Sequence, residues 1–128
     1  MGDECREHCG TKVLECSADG PKITCERDAA GLVNEAFNTG ARVIAVPVER
    51  LGDDFFTLST RVAGEVAQKV VNYGLKLAVV GDISRYLKSS APLRDWVRES
   101  NRGQDLWFVE DFIGLDAKLQ GRGEGAAE

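Results

Sequence analysis

The sequence predicts an α/β fold in which an N-terminal hairpin is followed by alternating helices and parallel strands, all building one small mixed sheet. Three observations predict it. Residues 13–26 alternate apolar and polar side chains with the period of two that marks strands. Beyond residue 40, three short runs are almost wholly apolar, the pattern of strands buried on both faces. Between those runs, apolar residues recur at the three-and-four spacing of helices. Strands that alternate with helices pair in parallel through right-handed crossovers.

Each element has its own signature. The hairpin is expected from residues 13–17 and 22–26 around the turn Ala18-Asp19-Gly20-Pro21. In that register Leu14 faces Cys25 and Cys16 faces Ile23, which puts all four on one face. Ala29, Leu32, Val33, Ala36 and Phe37 then repeat at helical spacing, and Asn38-Thr39-Gly40 ends that helix. Residues 42–47 form the first buried strand, with Val43, Ile44, Ala45 and Val46 in succession. Asp53 or Asp54 caps a long second helix over about residues 55–73, closed by Gly74. Its inner stripe is Val62, Ala63, Val66, Ala67, Val70 and Val71, while Arg61, Glu65, Gln68, Lys69 and Asn72 fall on the other side. Residues 76–80 are the next buried strand, stopped by Gly81-Asp82. A third helix follows Ser89-Ser90, with Pro92 in its first turn and Leu93, Trp96 and Val97 inward. Residues 105–109 are the last strand, and Asp111 caps a short helix carrying Phe112, Leu115 and Leu119.

A chain of 128 residues has room for one domain and not for two. Residues 11–120 are expected to be that domain, with 1–10 a flexible arm and 121–128 a disordered tail of small polar residues. A hydrophobic fraction of 43% with 29% charged residues excludes disorder and a coiled coil. No run approaches the ~20 apolar residues of a membrane-spanning helix. The start MGDECREHCG lacks the apolar core of a secretory signal, so a cytoplasmic location is expected. A net charge of −5 argues against a nucleic-acid partner.

The four cysteines lie in the first fifth of the chain, at 5, 9, 16 and 25. In a reducing compartment they are not expected to pair. Cys5 and Cys9, with His8, lack the matched second pair of a zinc site. Cys16 and Cys25 read as small buried hydrophobes, and Cys5 and Cys9 as arm residues. Neither a metal nor a cofactor is expected.

The predicted topology sorts the polar groups to two ends of the sheet. The carboxyl edge, where open α/β folds bind ligands, receives Glu49, Asp53, Asp54, Thr57, Asp82 and Ser84. The opposite edge receives Asn72, Tyr73, Ser100, Asn101 and Arg102. Three aspartates at the first edge match the oxygen chemistry of magnesium. The preferred reading is that Asp53 or Asp54 caps a helix and Asp82 closes a turn. Arg102 beside Gly103 has the planar fork that grips a carboxylate or phosphate, but a helix C-cap accounts for the same residues. Glu65 and Lys69 read as an i,i+4 surface ion pair. The sole histidine, His8, lies in the expected arm, and no glycine-rich run precedes a Lys-Ser or Lys-Thr step.

Several short words carry a family resemblance: Asp54-Phe55-Phe56, Ala63-Gly64-Glu65, Gln68-Lys69, Asn72-Tyr73, Gly81-Asp82 and Glu99-Ser100-Asn101-Arg102-Gly103. In that order they resemble a bacterial family known as domain of unknown function four-one-eight-zero, over roughly residues 11–120. That resemblance implies no activity. In element order the chain also resembles STAS domains, the fold of anti-sigma-factor antagonists. Their phosphorylated serine opens the second helix in an Asp-Ser-Ser/Thr-Gly context. Here that position reads Asp54-Phe55-Phe56-Thr57, so the motif is absent, and Thr57, Ser59 and Thr60 are the nearest hydroxyls.

The expected function is therefore a non-catalytic regulatory or protein-interaction domain that uses the second helix and its leading loop. Phe55 and Phe56 would be its apolar anchors if exposed, with Arg61, Glu65 and Lys69 as the rim. The partner would be another protein or a second copy of the chain. The alternative is a small-molecule-binding protein or a cofactor-free enzyme with a polar site at one sheet edge, built from Asp82, Asn101 or Arg102.

Overall fold

The computed structural model describes residues 4–125. β1 (Glu4–His8) and β2 (Thr11–Glu15) form an antiparallel hairpin. There follow α1 (Glu26–Thr39), β3 (Val43–Pro47), α2 (Val62–Asn72), β4 (Lys76–Val80), the short α3 (Ser84–Lys88), α4 (Ala91–Arg102), β5 (Leu106–Val109) and α5 (Phe112–Gly125). The strands stand in chain order β1-β2-β3-β4-β5, with β1 antiparallel and β2 to β5 parallel. This is the α/β class the sequence predicts, with the hairpin first and the parallel strands after it.

Chain order in the sheet decides where the helices go. Each parallel strand is added on the same side of the one before, so right-handed crossovers leave α1, α2 and α4 on one face. Leu14, Ile44, Leu77 and Phe108 point to that face, against Leu32 and Val33 of α1, Val66 and Val70 of α2, and Leu93 and Val97 of α4. The alternate residues Val13, Val43, Ala45, Ala78 and Trp107 point to the other face, where Leu115 and Leu119 of α5 cover them. Both sides of β3 and β4 are thus buried, which is why their sequences are runs of Val, Ile, Leu and Ala.

The hairpin lies one strand earlier than its alternation predicts. Residues 4–8, expected to be an arm, are β1. Cys9 (φ 53°) and Gly10 (φ 82°) are both left-handed, the geometry of a two-residue hairpin loop. Residues 22–26 make a bridge from Ile23 to Leu51 rather than a strand. The loop before them is held by Arg50, a buried cation that donates to the Ser17 carbonyl at 2.9 Å and to that of Pro21. Gly20 admits the guanidinium, since a Cβ there would stand 2.5 Å from it. Cys16 is buried as expected, whereas Cys25 is exposed because it immediately precedes the first turn of α1.

Four further expectations change. The second helix does not start near residue 55: Asp53–Phe56 and Leu58–Thr60 are separate 3-10 turns, interrupted by extended Thr57 and by Arg61 at φ 66°. Neither Asp53 nor Asp54 caps α2. Phe37 is 52% exposed although it keeps the helical spacing of its buried neighbours. Helix α5 continues to Gly125, into the expected tail, of which residues 126–128 lie outside the described residues.

Candidate functional site

A groove of about 550 Å³ lies on the three-helix face. Its floor is the outer stripe of α2: Arg61, Gly64, Glu65, Gln68, Lys69 and Asn72. The spacing of these positions, three or four apart, sets them on one line along the helix. Glu26 at the start of α1 and Trp96 of α4 form its sides, and Leu58 closes the end near the start of α2. The five polar residues that the sequence assigns to the outer side of the second helix therefore share one cavity.

Local contacts fix this lining. Lys69 pairs with Glu26 at 3.7 Å, not with its i−4 neighbour Glu65, and its ammonium sits 5.3 Å from the centre of the Tyr73 ring. The Gln68 amide donates to the Asn72 side chain at 2.8 Å. Arg61 is exposed at the entrance of α2 and, among the described residues, has no ion-pair partner. Its left-handed backbone is uncommon for a residue with a long side chain. That conformation turns the chain from the second 3-10 turn into α2, whose first intrahelical bond runs from Glu65 N–H to the Arg61 carbonyl at 3.0 Å. Gly64 leaves the floor low: a methyl group there would meet nothing within 4 Å.

The loop before α2 is structural. Phe55 and Phe56 are buried and meet edge to face at 5.1 Å, and Phe56 stacks on Tyr86 at 4.2 Å. Their expected role as exposed partner anchors is thus overturned, because the 3-10 turn points both rings into the core. Thr60 turns its hydroxyl back to the carbonyls of Asp54 (2.6 Å) and Thr57 (2.8 Å), and Thr57 does likewise to Asp53 (2.9 Å). The Asp54 side chain is exposed outside the groove.

The other sequence-nominated residues do not join the groove. Asp82 accepts from the Ser84 N–H at 2.9 Å, and this bond holds its carboxyl below the usual carboxylate range. Glu99 and Arg102 are exposed partners 3.9 Å apart along α4. Asn101 clamps the free edge of β5: its side chain accepts from the Phe108 N–H at 2.7 Å and donates to the Phe108 carbonyl at 3.3 Å. Asn101 also shares a 200 Å³ cleft with Asp82, although the predicted topology sends them to opposite edges. Its side chain reaches along β5 to do so. Glu26, Leu58, Gly64 and Trp96 are groove residues that sequence reasoning did not nominate; Trp96 at the border of its helix's inner stripe was the available signal.

The carboxyl edge carries the small cleft beside Asp82, and the larger groove lies away from it. Ligand crevices of open α/β sheets form where the strand order reverses, and β2 to β5 run in sequence without a reversal. Among the described residues, no group of three or more His, Cys, Asp or Glu stands close enough to hold a metal ion. No helix among them is long and apolar enough to cross a membrane.

Comparison with known proteins adds a family and no activity. The family model described as Domain of unknown function (DUF4180) matches residues 8–119. No curated protein and no solved structure matches the chain.

Proposed function

The chain belongs to the DUF4180 family, and we propose that it is a non-catalytic binding domain whose ligand lies in the groove along α2. One observation carries this reading: Arg61, Glu65, Gln68, Lys69 and Asn72 converge with Glu26 and Trp96 around a single cavity. Its 550 Å³ falls within the range of sites that enclose small molecules. The groove is open, and charged and amide side chains make up most of its lining. Two cations, two carboxylates and two amides line it. That mixture suits a small dipolar molecule carrying both charges, with an apolar part against Trp96. The groove's titratable groups are Glu26, Glu65, Lys69 and Arg61, and Lys69 is already paired with Glu26.

A protein partner on the same helix is the second reading. Phe37 and Tyr73 favour it, being about half exposed and packed edge to face at 5.9 Å beside Lys69. Thermal-shift and calorimetric titration with amino acids, dipeptides and small dicarboxylates tests the first reading. A ligand that stabilises the wild type is expected to bind Arg61→Ala at least about tenfold more weakly, the cost of a charge-assisted hydrogen bond. Arg102→Ala, outside the groove, is expected to bind it normally. If no probe shifts the wild type while light scattering shows a dimer lost in Phe37→Ser, the second reading replaces the first.

A further inference from the structure

A second cluster of titratable groups lies on the opposite face, where α5 meets the hairpin. His8 at the end of β1 is mostly buried, its side chain 14% exposed. Its Nδ1 lies 2.7 Å from Asp116 Oδ1 of α5, and its Nε2 contacts Glu15 Oε2 of β2. The ring stacks on Phe112 of α5 at 5.5 Å. Arg6 completes the surroundings, its Nε 3.5 Å from Glu15 while its guanidinium also holds Glu4. Cys9 donates its thiol to the Asp116 carbonyl at 3.7 Å. β1, β2 and α5 thus all reach the same imidazole.

The hydrogen-bond inventory decides its state. A carboxylate only accepts, whereas a neutral imidazole has one N–H and one lone pair. With a carboxylate at each ring nitrogen, neutral His8 would set a lone pair against an anionic oxygen. Only the imidazolium satisfies both contacts. We propose that His8 is a pH-sensitive clasp that fastens α5 to the hairpin, closed while both ring nitrogens carry protons and released as the pH rises.

Burial of the ring disfavours its charge, but the hydrogen bonds and charges of Glu15 and Asp116 outweigh that and raise the His8 pKa above its ordinary value. The sign follows from linkage. A folded-state pKa raised above the unfolded one gives stability that is complete below the unfolded pKa. It is lost as the pH climbs through the folded pKa. What loosens first is the seat of α5, because Asp116 lies on the same helix as Leu115 and Leu119, which cover the sheet.

The chain has one histidine, so its ring resonances titrate without overlap. In the full chain the midpoint is expected above about 6.5, and in Asp116→Asn it is expected to fall. Hydrogen exchange at Leu115 and Leu119, compared with His8→Gln at the same pH, is expected to change several-fold as the wild type passes its midpoint: slower than the variant below it, equal above it. A wild-type midpoint at or below about 6.5 overturns the proposal without any variant. So does an exchange ratio between wild type and His8→Gln that stays constant across the titration.

Discussion

Gly64 lies in the first turn of α2, exposed, with open space where a Cβ would be. Nothing in its packing requires a glycine, and glycine within a helix costs about 0.5–1 kcal/mol relative to alanine. Gly64→Ala is therefore expected to raise the unfolding free energy by about 0.5 kcal/mol, read from urea denaturation. The same methyl group raises the groove floor, so binding of any ligand found there is expected to weaken. Gain of stability with unchanged binding would remove Gly64 from the site. At this scale the sequence was legible in part. The helical spacing of Arg61, Glu65, Gln68, Lys69 and Asn72 was enough to align them along one face. Spacing within α2 says nothing of its neighbours, so Glu26 came only from the packing of α1, and the stripe position of Trp96 on α4 did not say which groove it borders. Phe55 and Phe56 show the opposite failure. Two adjacent rings read equally well as an exposed anchor or a core pair, and the 3-10 turn decides for the core.

Elements were legible where apolar runs are long and doubtful where charge dominates. β3, β4 and β5 declare themselves because both faces are buried. β1 reads ECREH, with a single apolar side chain, and nothing in its alternation distinguishes it from an arm. Its loop gave only half a signal: Gly10 takes φ above zero freely, whereas Cys9 at φ 53° is not one of the residues that favour it. Gly10→Ala is expected to cost about 1–2 kcal/mol, the penalty of a left-handed backbone for a residue with a Cβ. The loss should concentrate in the amide exchange of β1 and β2, whose ladder the loop closes. A uniform loss across β3 to β5, with the hairpin no worse than the rest, would mean that β1 is not a separate unit. Helix α1 carries a subtler start: Asp28 reaches back to the Thr24 N–H at 2.8 Å, a bond that lowers its pKa. Thr24 and Asp28 are four apart, with Thr24 one residue before the N-cap Cys25, so they lack the three-residue spacing by which a capping box is read from sequence.

The whole molecule is lopsided, and the lopsidedness follows from strand order. A parallel sheet built in one direction sends α1, α2 and α4 to one face and leaves the other to α5. Its two edges are closed differently: β1 by charged residues, β5 by the Asn101 side chain. The groove forms on the crowded face because three neighbouring helices meet there, and the other face has α5 alone. Loss of packing under α5 therefore has no second helix to compensate for it. Leu115 is fully buried against Val13, Val43, Ala45, Ala78 and Trp107. Leu115→Ala is expected to cost about 2–5 kcal/mol, at the upper end if α5 cannot settle into the cavity. In a Trp96→Phe background, where emission reports Trp107 alone, the same change is expected to shift fluorescence to the red as water reaches the indole. Its N–H bond to the Gly103 carbonyl, 2.8 Å, would hold the ring in place while its surroundings change. An unfolding free energy lowered by less than about 1 kcal/mol, with emission unmoved, would show that α5 is not what keeps this face dry.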